Sequence, residues 1–244
     1  MAIDIDAIYF STYEHYKTAK NNIHTRSILE HSSKAISNVI PGFDEEKLKF
    51  GSYDKENFAV LFVDMRDSTM RAQSVGAEKT FLTMHIFLTA LLEVVKYYHG
   101  KVIDIMGDGL MVFWGGKIAR VEDDMVKSKA VQNAGLCGRD MLVVLQKVIN
   151  KIITDENLGA EISIGVGVTF DSVIVTKIGI ENSYDVKAFG DCINIASKYA
   201  NQVRNKVKVS KKIKNEWPKG KGGKIKFTSA GNGAFFLEQG GEGV

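Results

Sequence analysis

The chain has 244 residues, enough for one compact domain of roughly 150–200 residues plus an appendage. It is 45% hydrophobic and 25% charged with two prolines, so it builds a core without needing disulfides or a structural metal. Its 32 basic and 29 acidic residues leave a net charge of +3, which gives no whole-molecule case for nucleic acid or a membrane surface as partner.

The N-terminus MAIDIDAIYF lacks the basic and apolar stretches of an export signal. No uninterrupted apolar run approaches the roughly 18 residues of a bilayer span, so the expected location is the cytoplasm. Cys137 and Cys192 match no metal or redox spacing and read as small buried hydrophobes. Residues 1–48 show loose helical periodicity ended by Pro41-Gly42, which predicts a helical N-terminal arm that either packs on the domain or reaches a partner subunit. Residues 49–244 read as the main domain.

FAVLFVD (58–64) is a buried central strand ending in a carboxylate. Ala77 to His99 carries apolar residues at helical spacing and stops at Gly100. KVIDIMG and LMVFWG flank Asp108-Gly109, a hairpin signal. A second long helix covers about Val121 to Ile153, EISIGVGVTF and SVIVTKIG form a strand pair, and Asp191 to Val203 is a helix with Asp191 as N-cap. KVKVS, a short helix through Trp217 and two closing strands, KIKFTS and AFFLE, complete an α+β order: a ferredoxin-like βαββαβ core with an antiparallel-rich sheet. The lysines from Lys206 to Lys226 read as solvated surface, one of them available to a polyphosphate.

In a βαββ core the first strand neighbours the hairpin, so Asp64 and Asp108 converge at one sheet edge. Two aspartates there suit divalent cations completed by phosphate oxygens. Taken singly, Asp64 is a loop start and Asp108 a turn residue. Met65, Arg66, Asp67, Ser68 and Thr69 form a strand-to-helix turn whose amides suit phosphate; N-capping by Ser68 or Thr69 accounts for the same residues.

FVDMRDST, GKVIDIMGDGLMVFWG and ISIGVGV followed by AFGDCINIASK resemble, in order and spacing, the motifs of class III adenylyl and guanylyl cyclases over residues about 55–238. The resemblance implies a head-to-tail homodimer and a nucleoside triphosphate substrate. It assigns two divalent cations (Mg²⁺ or Mn²⁺) to Asp64 and Asp108, ribose orientation to Asn194 and α-phosphate charge to Lys198, where the family usually has arginine. Ala230 occupies the place of a terminal-phosphate lysine, with Lys221, Lys224 or Lys226 as substitutes.

The base-reading positions align to Asp104 and Lys187, an acceptor-only and a donor-only group that fit uracil, guanine or cytosine better than adenine. The alternative is an Asp104–Lys187 salt bridge that never meets a base. Tyr53 either contacts the base or is a core-rim tyrosine. The wording of FVDMRDST, EKTFLTMHIFL and VIDIMGDGLMVFW is similar to the pyrimidine cyclases of bacterial Pycsar antiphage defence. This implies cUMP, or less readily cCMP, as a product read by a separate effector. The competing readings are a purine cyclase and a degenerate domain that binds without turnover. A palm-type polymerase or dinucleotide cyclase lacks the supporting motifs.

Overall fold

The computed structural model describes residues 3–23, 40, 43, 48–116, 124–180, 183–219 and 225–239. In chain order its elements are α1 (Ile5–Asn22), β1 (Tyr53–Met65), α2 (Ser68–Tyr97), β2 (Lys101–Met106), β3 (Gly109–Gly115) and α3 (Asp124–Val144). A π-helical turn, Leu145–Ile149, joins α3 to α4 (Asn150–Asp155). There follow β4 (Ile164–Ile180), β5 (Ser183–Phe189), α5 (Asp191–Asn201), β6 (Lys206–Ser210), α6 (Lys211–Asn215), β7 (Ile225–Ser229) and β8 (Ala234–Gln239).

The strands make one eight-stranded sheet, β2-β3-β1-β4-β6-β8-β7, with β5 paired to β4. β1, α2, β2, β3, α3 and β4 form the expected ferredoxin-like core, antiparallel throughout; the β4–β6 pairing beyond it is parallel.

β1 is buried on both sides, which is why FAVLFV is continuously apolar. Ala59, Leu61, Val63 and Met65 share one core with Ile86, Phe87 and Leu91 of α2 and Met141 and Val144 of α3. Phe58, Val60 and Phe62 share the opposite core with Cys192, Ala196 and Ala200 of α5. Each such fully buried large side chain contributes roughly 1.5–3 kcal/mol, so this strand fixes the place of everything attached to its end. By length and composition α2 could cross a bilayer, but its apolar side is buried in the core beneath the sheet.

α5 touches the sheet where the sheet has no side chains. A Cβ on Gly167 would lie 2.0 Å from the Ala196 carbonyl oxygen, and one on Gly165 would lie 2.0 Å from that of Ala200. Glycine in a strand marks such close backbone approach.

Several expectations are corrected. The two strands expected from EISIGVGVTF and SVIVTKIG are one strand, β4, because β1 begins at Tyr53 and pairs with it as far as Thr176. Asp171-Ser172 does not turn: the Ser172 amide donates to the Asp171 carboxylate at 2.8 Å. The hairpin partner is instead β5. α2 begins at Ser68 rather than Ala77, with a break at Gly76 (φ 82°). Asp67, not Ser68 or Thr69, is the N-cap residue, left-handed at φ 59°. Gly190, not Asp191, caps α5. The second long helix is described from Asp124 and is interrupted by the π turn.

α1 packs on the domain, against α2 and the π turn, burying Ile8, Thr12, Tyr16 and Ala19. The further arm helix expected before Pro41-Gly42 lies outside the described residues. One carboxylate anchors α1: Glu156 accepts from Tyr16 Oη (2.6 Å), Tyr13 Oη (2.8 Å) and Lys20 Nζ (2.9 Å). Hydrogen bonds from Tyr16, Lys20 and Tyr13 hold its pKa down at about 2.

Two predictions follow from this packing. Gly167→Ala lowers stability by about 1–3 kcal/mol, read from the urea midpoint, because backbone and not a flexible side chain stands in the way. Glu156 is depressed in the fold, so its stabilisation is complete above about pH 4.5 and is lost as pH falls toward about 2. Amide exchange in Ile5–Asn22 therefore rises across that window, and Glu156→Gln removes the pH dependence. An α1 that exchanges equally with and without the Glu156 carboxylate contradicts the anchor.

Candidate active site

Asp64 is the penultimate residue of β1, in register with Gly109 of β3 on one side and Gly165 of β4 on the other. The Met65 amide donates to the Asp108 carbonyl at 3.1 Å. The fold thus brings Asp64 and Asp108 to one sheet edge, as the topology predicts. A Cβ on Gly109 would come within 3.3 Å of Asp64 Oδ1, so glycine there keeps open the space beside the carboxylate. Among the described residues no group of three or more His, Cys, Asp or Glu side chains gathers. Two hard oxygen donors beside an open space fit Mg²⁺ or Mn²⁺, which take their remaining ligands from phosphate and water.

The strand-to-helix turn is narrower as an anion site than its sequence implies. The amides of Met65 and Arg66 already donate to the carbonyls of Asp108 and Ser163 (2.8 Å for the latter), which corrects their expected role on phosphate. Ser68 and Thr69 head α2, where the helix gives their amides no partner. The Arg66 side chain forms an ion pair with Asp64 and reaches across to Asn201, and Arg204 forms an ion pair with Asp67. These arginines line a cavity of about 340 Å³ with Met70, Arg71 and Ser163. The sequence offered no signal for the Arg66–Asn201 and Arg204–Asp67 contacts, since each joins residues more than 130 positions apart.

Cys192, Ala196 and Ala200 of α5 are buried, while Asn194, Ile195 and Lys198 are exposed. Asn194 and Lys198, one helical turn apart, therefore present their side chains to solvent. Burial pushes the Cys192 thiol up to about 11 and Cys137 well above its usual value, so both are inert packing groups. A second cavity of about 340 Å³ lies between α5, Lys211 and Lys212, and the β7–β8 turn. In that turn the Ala230 amide donates to the Ala234 carbonyl at 2.9 Å. Lys226 lies in β7 opposite Glu238, and Lys221 and Lys224 fall outside the described residues.

The protomer does not bring Asp104 and Lys187 together. Asp104 follows a bulge in β2 and is in register with Met111. Lys187 is in register with Thr176 and forms an ion pair with Asp185 (2.6 Å), not with Asp104. Tyr53 starts β1 opposite Thr176 and is 66% exposed, so it is not a core-rim residue.

Residues 50–238 match the family described as the adenylate and guanylate cyclase catalytic domain. A cytidylate cyclase from Staphylococcus aureus is 27% identical over 157 residues, 63% of this chain and 36% of that protein. A uridylate cyclase from Gulbenkiania mobilis is 29% identical over 178 residues, 70% of this chain and 66% of that protein. The chain thus spans about a third of the first relative's length and about two thirds of the second's. Among solved structures, the adenylyl cyclase CyaB from P. aeruginosa superposes with a TM-score of 0.62 at 17% identity, over 79% of this chain and 97% of that one; at that identity the likeness shows the fold. With its βαββαβ core and a family match over most of its length, the chain belongs to the adenylate and guanylate cyclase catalytic domain family.

Proposed function

We propose that this protein is a pyrimidine nucleotide cyclase that converts UTP, with CTP as the second choice, into the 3′,5′-cyclic monophosphate and pyrophosphate. The observation that carries the pyrimidine reading is the similarity to both a uridylate and a cytidylate cyclase. UTP is preferred because an acceptor at Asp104 meets the N3–H of uracil and a donor at Lys187 meets its carbonyl oxygens. For Lys187 to take that role it must leave Asp185, an ion pair between half-exposed groups that holds it only weakly.

The reaction is in-line attack of the ribose 3′ oxygen on the α-phosphorus, with loss of pyrophosphate. When bound at Asp64 and Asp108, Mg²⁺ or Mn²⁺ lowers the pKa of the 3′ hydroxyl and neutralises the phosphates. The chain's own groups position and compensate charge. Asn194 orients the ribose, Lys198 stabilises charge on the α-phosphate, and the Ser68 and Thr69 amides receive the leaving pyrophosphate. Lys198 lacks the planar fork of arginine and acts as a point charge.

The site is shared between two copies of the chain. Asn194 and Lys198 face solvent in the protomer. On the side of the β4–β5 hairpin that bears the Lys187–Asp185 ion pair, Ile178, Ile180 and Phe189, with Tyr53 of β1 beside them, are 48–73% exposed, an apolar share that a second copy would cover. The cyclic nucleotide then serves as a second messenger in bacterial antiphage defence, read by a separate effector. A nucleotide-binding domain without turnover is the second reading, favoured by Ala230 standing where the family has a lysine.

Incubation of ATP, GTP, CTP and UTP separately with Mn²⁺, followed by mass spectrometry, gives cUMP as the main product, with cCMP second. Dominant purine products overturn the base assignment but keep the cyclase; no product from any triphosphate favours the second reading. Asp64→Ala and Asn194→Ala proteins each lose about two or more orders of magnitude of activity, the usual scale for removing one preorganised electrostatic group. Mixed, they recover part of it, because one of the two shared sites is then intact. No recovery despite demonstrated subunit exchange excludes the shared site.

A further inference from the structure

We propose that the Arg66 side chain is a positioning cation: it occupies Asp64 in place of a divalent ion and ties metal loading to the position of α5. The proposal rests on the reading of Asp64 as a metal ligand and goes beyond it.

Three observations carry it. Arg66 Nη2 forms an ion pair with Asp64 Oδ2, with the side chains only 16% and 29% exposed, so a partly buried carboxylate has its charge compensated internally. The same guanidinium binds the end of α5: Nη2 donates to Asn201 Oδ1 and Nη1 to the Asn201 carbonyl oxygen, both at 3.0 Å. Asn201 is the last residue of α5, so the arginine caps a helix C-terminus, where orphan carbonyls and the macrodipole favour a cation. A planar fork serves both partners at once; an ammonium does not. Finally, Arg66 Nε is buried without a hydrogen-bond partner, so the head is held here by its two arms rather than by full satisfaction.

Arg204 reaches the other way, from just beyond α5 to Asp67, so turn and helix clasp each other. A divalent ion on Asp64 competes for the same carboxylate with twice the charge and displaces the guanidinium from Oδ2. One half of the clasp then opens, and the last turn of α5 is freed. Since α5 carries Asn194 and Lys198, which under the shared-site reading serve the second copy's metal edge, loading one site adjusts the other.

The test uses the full chain without nucleotide and Mn²⁺ as the probe, with free ion followed by electron paramagnetic resonance. Arg66→Gln binds Mn²⁺ at least about fivefold more tightly than the parent, the lower end of ordinary coupling between sites. Arg66→Lys, which keeps the charge, binds it as weakly as the parent and shows that the fold is not at issue. By hydrogen exchange, Mn²⁺ speeds the amides of residues 198–203 in the parent, whereas in Arg66→Gln they are fast already and indifferent to Mn²⁺. If Asp64→Asn leaves Mn²⁺ binding unchanged, the metal reading of Asp64 itself falls. If neither the parent nor Arg66→Gln binds Mn²⁺, that metal reading falls as well; if Asp64→Asn weakens binding while Arg66→Gln leaves both affinity and exchange as in the parent, the clasp is overturned.

Discussion

A helix approaches a sheet only as closely as the intervening side chains allow, and at Gly165 and Gly167 there are none. The carbonyls of Ala200 and Ala196 lie where their Cβ atoms would be. This contact sets the height and angle of α5 over β4. It therefore sets where Asn194, Lys198 and Asn201 stand relative to the end of β1. A side chain at either glycine would lift the helix by the thickness of a methyl group, a displacement that the proposed action of Asn194 and Lys198 on one nucleotide would tolerate poorly.

The other half of the arrangement is the rigidity of β1. It pairs with β4 along its length and with β3 from Phe58 to Asp64, where Phe58–Val63 are buried on both faces, so its final residues, Asp64 and Met65, are held by packing rather than by loop geometry. From that fixed point the chain turns through a left-handed Asp67 into α2, exposing the first amides of the helix beside the two carboxylates. The proposed metal edge and anion turn are consecutive segments of one strand-to-helix junction. α5 reaches the same junction from the opposite face of the sheet, tied to it through Arg66 and Arg204. Both acidic groups of the junction, Asp64 and Asp67, carry internal counterions in Arg66 and Arg204.

α1 adds a second attachment to this junction. Glu156, which anchors α1, opens the loop leading to β4. Arg71 and Lys79 of α2 donate to carbonyls of the same loop, at Leu158 (2.9 Å), Ala160 and Asn157 (2.8 Å). The N-terminal helix thus rests on the segment that α2 braces, a few residues before the Ser163 carbonyl that binds the Arg66 amide. An arm with loose helical periodicity is in this way built into the support of the site.

The sequence by itself determined the core order and the convergence of Asp64 with Asp108. A doubly buried strand, a glycine-stopped helix and an Asp-Gly hairpin leave little topological choice, and hydrophobic periodicity is a local property. It also placed Asn194 and Lys198 on one helical face, because i and i+4 always share one. Only the tertiary structure decided the rest. β4 runs straight through Asp171-Ser172 because its partner β1 is long enough to pair on both sides of that point, and a pairing partner is invisible to local turn chemistry. Met65 and Arg66 have no amides left for phosphate because Asp108 and Ser163 take them. Lys187 pairs with Asp185 rather than Asp104, and Arg66 stands between Asp64 and Asn201. Each of these outcomes is a competition for hydrogen bonds or charge between partners near and far in the chain, and it is resolved only once the backbone has set which of them meet.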